Sequence, residues 1–212
     1  MRKTSVVVVD DHRVVCEGLR AMINTQPDIG VVAEASSGKE ALEQLRQTSP
    51  DVLLLDLSLP DMSGLDVLRY ARSHYPNLKI LVLSSYPESQ FGLNVLRGGA
   101  AGYIGKGAEA PELLRALRTV ARGGRYVGQA LTDQLVSGMN GDSTAPLHGK
   151  LSEREFQIFC KIAEGESVSV IAARLFLSVK TVSTYRRRIL DKMSMKNNAE
   201  LTTYAIRNEL IR

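Results

Sequence analysis

Five short apolar runs punctuate residues 1–125, and each is followed by a stretch with helical spacing. The runs are Ser5–Val9, Val31–Ala35, Val52–Leu55, Lys79–Leu83 and Gly102–Ile104. Little polar alternation interrupts them, which suits strands covered on both faces, as in a parallel sheet. Between them, Val14–Thr25 carries Val15, Leu19, Met22 and Ile23 on one face, and Leu65–His74 carries Leu65, Leu68 and Ala71. Ser37-Gly-Lys-Glu40 reads as a capping box opening a helix over Ala41–Thr48. Glu88–Arg97 and Pro111–Arg122 complete the strand–helix units, and Pro111 fits a first helical turn. Such alternation with short links predicts an α/β fold, a five-stranded parallel doubly wound sheet of order 2-1-3-4-5. In such sheets, ligand sites lie at the C-terminal ends of the strands.

The rest of the chain follows another pattern. Gly138–Lys150 is rich in Gly, Ser, Thr, Pro and Asn and reads as a linker, with a short helix over Gln129–Val136 before it. Ser152-Glu-Arg-Glu155 is a second capping box, opening a helix with Phe156, Phe159, Ile162 and Ala163 inward. Ser169–Leu175 is a short helix with Val170, Ile171 and Leu175 apolar, and Phe176-Leu-Ser178 forms a turn. Ser178 is a good N-cap for a helix over Val179–Met193, and Asn198 caps a last one over Ala199–Leu210. The expected domains are residues 1–125, a linker over 126–149, and a small all-α domain of four helices over 150–212.

Charge divides along the same line. Residues 150–212 hold 12 Lys and Arg against 7 Asp and Glu, whereas residues 1–149 hold 15 against 16. That asymmetry points to an anionic partner for the last third, nucleic acid before membrane. No stretch free of Asp, Glu, Lys and Arg exceeds eight residues, and a spanning helix needs roughly 18 mostly apolar ones. Met1–Val15 lacks the leader of a secretory signal. Two cysteines, Cys16 and Cys160, make neither a disulfide framework nor a metal cluster and read as buried thiols in a reducing cytosol.

Chemistry concentrates where the predicted strands end. Ser5–Val9 runs into Asp10-Asp11, Val52–Leu55 into Asp56, Lys79–Leu83 into Ser84, and Gly102–Ile104 leads to Lys106. In the order 2-1-3-4-5, strands one and three are neighbours, so Asp10, Asp11 and Asp56 converge. Gathered carboxylates repel unless a cation intervenes, and a hard divalent ion with oxygen ligands, Mg²⁺, resolves the repulsion. A carboxylate beside such an ion can attack a phosphoryl group. The Lys106 ammonium and the Ser84 hydroxyl would offset charge on the transferring oxygens.

Val6–Asp11 with His12, Asp56-Leu-Ser-Leu-Pro60, Gly64, Ser84 and Lys106 resemble a two-component response-regulator receiver over roughly Thr4–Arg122. The resemblance implies that Asp56 accepts phosphate from a sensor histidine kinase. It implies Mg²⁺ ligation by Asp11 and Asp56, with Asp10 acting largely through water and the Ser58 backbone carbonyl completing the protein ligands. It places Tyr103 at an aromatic switch position linked to Ser84; a half-buried strand tyrosine is the other reading. Pro60 and Gly64 fit a shaped loop. Many receivers carry proline after the lysine; Gly107 stands here.

The last third carries a basic helix. With Val182 at zero and about 100° per residue, Tyr185, Ile189 and Met193 form an apolar stripe, while Ser183, Thr184, Arg187 and Arg188 face away. Arg186 flanks the stripe. Such an outer face suits a DNA major groove, where Arg bonds guanine and small hydroxyl residues allow close approach. Lys180, Arg186, Lys192 and Lys196 could meet phosphates. Leu151-Ser-Glu-Arg-Glu155, Ile171-Ala-Ala-Arg-Leu175 and Leu177-Ser-Val-Lys-Thr-Val182 resemble the LuxR-type helix-turn-helix over about Lys150–Arg212. Together with the receiver, the chain is similar to the NarL/FixJ class of response regulators. That class mostly has His where Tyr185 stands, and Lys180–Ile189 is closer to the GacA/UvrY-like branch. By position, Ser183, Thr184 and Arg187 would reach base edges.

These readings predict a transcription factor, not an enzyme of turnover, which accepts phosphate on Asp56 and autodephosphorylates. Its expected partners are a sensor histidine kinase, promoter DNA and a second copy of itself when phosphorylated or DNA-bound; its expected setting is the cytoplasm. A phosphohydrolase with an aspartyl nucleophile usually needs a second acid two residues on, where Ser58 stands. The other rival, a DNA binder indifferent to phosphate, would have no use for the full set of acids.

Overall fold

The structure is a computed structural model, and it describes residues 3–128, 131–132, 146–208 and 210–211. The chain divides into two compact units, Met1–Ser143 and Thr144–Arg212.

The first unit alternates strands and helices: β1 (Thr4–Val9), α1 (Arg13–Asn24), β2 (Ile29–Ala35), α2 (Gly38–Thr48), β3 (Val52–Leu55), α3 (Gly64–His74), β4 (Lys79–Ser84), α4 (Glu88–Arg97), β5 (Gly102–Gly105) and α5 (Ala110–Ala121). The strands form one parallel sheet of order β2-β1-β3-β4-β5. Val6–Val9 and Val52–Leu55 are wholly buried because helices cover both faces of the sheet. Register decides where the chemistry lies. Val9 pairs with both Ala35 and Leu55, so β1 and β3 end level and deliver Asp10 and Asp56 side by side. Leu55 pairs with Val82, and Ser84 with Gly105, which carries the same edge on to Ser84 and Lys106.

The second unit holds a 3₁₀ turn (Leu147–Lys150) and helices α6 (Glu153–Ala163), α7 (Val168–Arg174), α8 (Val179–Met193) and α9 (Asn198–Arg207). Helices α7 and α8 turn through 114° across Leu175–Ser178, within the range of a helix-turn-helix. Phe176 takes the turn with φ 52° and is exposed, while Leu177 N–H closes it on the Ala172 carbonyl at 2.9 Å. Phe156, Phe159, Ile162, Ile171, Val182 and Leu201 supply the core.

Several local expectations shift. Ser37 does cap α2, accepting from Glu40 N–H, but the Glu40 carboxylate reaches back to Ser36 N–H at 2.7 Å and not to Ser37. Gly38 and Lys39 instead give their amides to Asp61 at 2.7 and 2.9 Å. The last helix begins at Asn198, not Ala199, and its cap is Asn197, which accepts from Glu200 N–H at 3.0 Å. The Asn197–Glu200 spacing wins because it also lets Glu200 reach Lys196 N–H. Val170 is half exposed. The helix expected over Gln129–Val136 lies outside the described residues apart from Leu131 and Thr132, which are helical; of the linker expected over Gly138–Lys150, residues 138–145 lie outside them and Leu147–Lys150 forms the 3₁₀ turn.

Candidate functional site: an acidic pocket and a basic helix

Asp10 and Asp56 leave the sheet at adjacent strand ends, held by Asp10 N–H to the Ala35 carbonyl at 3.0 Å and Asp56 N–H to the Val9 carbonyl at 2.8 Å. Both are buried, as is Ser84. Lys106 N–H bonds the Ser84 carbonyl at 2.8 Å, and its ammonium Nζ lies 2.7 Å from Asp56 Oδ2 and 2.7 Å from Asp10 Oδ2. One ligand atom each of Asp10, Asp11, His12 and Asp56 fall within 4.8 Å of one another. Sequence-distant residues therefore form one cluster, as convergence at the strand ends requires.

The electrostatics follow from burial. Desolvation pushes the Asp56 carboxyl above the ordinary carboxylate range, and the Lys106 ammonium and the Ser58 N–H, 3.2 Å from Asp56 Oδ1, only partly oppose it. Burial also works to lower the Lys106 ammonium, but Asp56 and Asp10 outweigh it and hold the group above its usual value. Asp10 Oδ2 is buried, and its partner is the Lys106 ammonium at 2.7 Å, which it shares with Asp56. Three carboxylates with ligand atoms within 4.8 Å of one another, and one ammonium among them, are a donor set for a hard divalent cation. These residues fit Mg²⁺ by number and type.

The loop after β3 is shaped by close approach. A Cβ at Gly64 would sit 2.5 Å from the Asp56 carbonyl oxygen and from Leu57 Cα, so only glycine fits. Asp61 in this loop accepts amides from Gly38, Lys39 and Met62. Burial alone would raise its carboxyl, but these backbone N–H groups hold it below the ordinary range. Ser84 Oγ accepts from Tyr86 N–H at 3.2 Å. Tyr103 is fully buried, not half-buried, and its hydroxyl donates to the Tyr86 carbonyl at 2.7 Å. Tyr86 also stands against Phe91 of α4, with ring centroids 5.2 Å apart. Neither Tyr86 nor Asp61 stands out in the sequence, because each acts through a partner set by tertiary packing.

On α8, Ser178 accepts from Thr181 N–H at 3.0 Å and caps the helix. Val182, Ile189 and Met193 are buried and Tyr185 only half so. Lys180, Ser183, Thr184, Arg187 and Arg188 are exposed, an outward polar and basic face. Lys196, beyond the helix, is exposed too, whereas the other two basic candidates are engaged within the fold. Arg186 Nε donates to Asn198 Oδ1 at 2.7 Å, and Lys192 Nζ to Glu155 Oε2 at 2.6 Å. Glu155 is buried and also closes the α6 capping box on Ser152 N–H at 2.7 Å.

A parallel α/β unit with a carboxylate pocket, joined in one chain to a tight-turn helix pair bearing a basic helix, defines a DNA-binding two-component response regulator. Residues 6–118 match the response regulator receiver domain family and residues 149–205 the luxR family of bacterial regulatory proteins. The chain belongs to the response-regulator family, in its NarL/FixJ class. It is 39% identical over 213 residues to the oxygen regulatory protein NreC of Staphylococcus carnosus, covering 97% of this chain and 98% of that one. With NreC of Staphylococcus aureus strain MRSA252 the identity is 40%, with the same coverage. Among solved structures, RcsB of Salmonella typhimurium matches with a TM-score of 0.70 and 26% identity over 96% of this chain and 97% of that one. ChrA of a heme-sensing two-component system matches with 0.53 and 30% over the whole of both chains. RcsB bound to a promoter in the presence of a phosphomimetic matches with 0.66 and 25% over 96% of this chain and 98% of that one. No single helix among the described residues is long and apolar enough to cross a membrane.

Proposed function

We propose that Asp56 is the phosphoacceptor and that its phosphorylation controls DNA binding by the luxR-type unit. The observation that carries this is a carboxylate buried at a sheet edge with an ammonium 2.7 Å from its Oδ2. Asp56 attacks the phosphorus of a phosphohistidine on a sensor kinase; the P–N bond breaks, the imidazole keeps the electron pair, and an acyl phosphate forms. Lys106 meets the charge gathering on the phosphoryl oxygens, and Ser84 offers its hydroxyl to one of them. Asp10, Asp11, Asp56 and the Ser58 carbonyl would hold Mg²⁺, which supplies neutralising charge when bound. Slow attack of water on the acyl phosphate returns the resting state, so the chain turns over no external substrate. When Ser84 turns to the phosphoryl group, Tyr86 N–H loses its acceptor, and through Tyr86 the change reaches Tyr103 and α4.

In the helical unit, Ser183, Thr184 and Arg187 read base edges, and Lys180, Arg186, Arg188 and Lys192 approach phosphates of duplex DNA. For Arg186 and Lys192 this means exchanging the partners they hold in the fold. The protein acts as a homodimer on paired half-sites and works in the cytoplasm. The related RcsB, solved as two dimers bound to two parallel DNAs, supports the dimeric reading.

Incubation with acetyl phosphate and Mg²⁺ should add one phosphoryl group, read by intact mass, and Asp56→Ala should stay unlabelled. Equal labelling of that variant removes the site assignment. Beryllofluoride should tighten promoter binding; unchanged affinity would favour a receiver that does not control the DNA unit.

A further inference from the structure

His12 stands directly after the acidic pair, at the N-cap of α1, yet its side chain caps nothing there. Its ring turns to the pocket instead. Nδ1 lies 2.8 Å from Asp11 Oδ1 and 3.1 Å from Asp10 Oδ1, and the His12 backbone N–H also donates to Asp10 Oδ1 at 2.9 Å. Both neighbours are carboxylates, which only accept, so the proton of a neutral ring sits on Nδ1. The consequence differs for the two acids. Asp10 has one oxygen taken up twice by His12, which turns its other oxygen, the buried Oδ2 that meets Lys106 Nζ at 2.7 Å, into the pocket. The Asp11 side chain is a third exposed, and the imidazole holds its Oδ1 at 2.8 Å.

We infer that His12 is a positioning residue for the divalent cation. It presets Asp10 and Asp11 before the ion arrives, without touching the ion itself. The inference rests on the metal-binding reading of the pocket. Partners of metal-bound carboxylates orient the ligands, and their loss commonly weakens metal binding by about 10–100-fold. His12 is itself 64% exposed, so the low end of that range is the expectation here. The carboxylates remain after its removal. What is lost is their prior arrangement, so affinity falls while the rate with the site filled does not.

The test uses the full chain and Mn²⁺ as the probe, followed by loss of the free-ion EPR signal. Wild type should bind one Mn²⁺ and His12→Ala should bind it about tenfold more weakly, with an unchanged melting temperature. His12→Asn places an amide N–H near the position of Nδ1 and should restore wild-type affinity. In acetyl phosphate labelling, His12→Ala should raise the half-saturating Mg²⁺ concentration by the same factor and leave the rate at saturating Mg²⁺ unchanged. Equal Mn²⁺ affinity in wild type and His12→Ala overturns the inference while leaving the metal site standing. An asparagine variant as weak as the alanine one also overturns it. Failure of wild type to bind Mn²⁺, or equal binding by Asp11→Asn and Asp56→Asn, removes the metal site and this inference with it.

Discussion

The acidic pocket and the basic helix solve opposite problems with charge. The pocket gathers residues 46 positions apart, Asp10 and Asp56, with Lys106 a further 50 away, and takes them out of water. The helix takes consecutive turns of one segment and leaves Lys180, Arg187 and Arg188 in solvent. Charges that share a buried site are strongly coupled, and removing one leaves its partners uncompensated. Charges spread on a solvated face act nearly independently and are screened by salt. One site should therefore behave as a unit and the other as a sum.

The sharpest way to break this contrast is Lys106→Ala. Asp10 and Asp56 then face each other buried without a cation, and stability of the receiver without Mg²⁺ should fall by about 3 kcal/mol, read by urea unfolding. Adding Asp56→Asn should recover part of the loss, because it removes one of the two stranded charges. The sign of the pH effect supports this. The Asp56 carboxyl is raised by burial, so what it contributes is present below the ordinary carboxylate range and is lost as pH rises through the raised value. Stability of wild type without metal should thus fall with rising pH in the acid range, and Asp56→Asn should flatten that limb. Strict additivity of the two substitutions would mean the pocket is not a unit.

The helix gives the counterpart. Arg187→Ala should weaken specific promoter binding by about 1–3 kcal/mol and relax base preference, with no change in unfolding. Lys180→Ala should weaken all sequences alike and reduce the salt slope by about one, measured by fluorescence anisotropy across a salt series. A loss of fold in either variant, or coupling between them, would erase the distinction between the two sites.

The contrast also explains what can be read from sequence. Apolar runs ending in Asp10-Asp11, Asp56, Ser84 and near Lys106 make the gathering of the pocket legible, because parallel-strand order and level register leave the strand ends few other places. The stripe of Val182, Ile189 and Met193 marks the outward face of α8 just as directly, through a period of about 3.6 residues. What escapes both patterns is pairing between elements. Nothing local announces that Lys192 will meet Glu155, 37 residues earlier, or that Tyr103 will bond the Tyr86 carbonyl. The Asn197–Asn198 pair offers two caps one residue apart, and only the reach of Glu200 decides between them. The use of Asp61 as a cap for α2 crosses from one loop to another and has no sequence signature.

Glu155 sharpens the comparison, since it brings a pocket-like ion pair into the helical unit. Burial alone would raise its carboxyl, but the bond from Lys192 and the amide of Ser152 hold it below the ordinary range. Its contribution is thus present above that range and lost as pH falls through the depressed value. Glu155→Gln keeps the shape of the capping box and removes the charge, and should cost about 1 kcal/mol in thermal unfolding at neutral pH. Lys192 is released at the same time. If it then meets a DNA phosphate, the salt slope should steepen by up to about one; an unchanged slope would keep Lys192 out of the interface.

The smallest effects concern the thiols, where the two units should behave alike. Cys16 is buried as expected and Cys160 only partly so; burial, with Asp10 and Glu34 nearby, pushes the Cys16 thiol up to about 11, and desolvation pushes Cys160 up to about 12. The nucleophile in disulfide exchange is the thiolate, so both groups are nearly inert at pH 8 in the folded chain. An aromatic disulfide reagent should titrate neither in the native protein and both in urea. Because folding raises these values, the thiols stabilise the fold below the ordinary thiol range and cease to as pH rises through it toward the raised values. One free thiol reacting at native pH would show that its unit opens locally. If that thiol is Cys16, whose Sγ donates to the Asp10 carbonyl at 3.4 Å, Mg²⁺ at saturating concentration should suppress the reaction, since an ion bound to Asp10 is lost when this part of β1 and α1 separates.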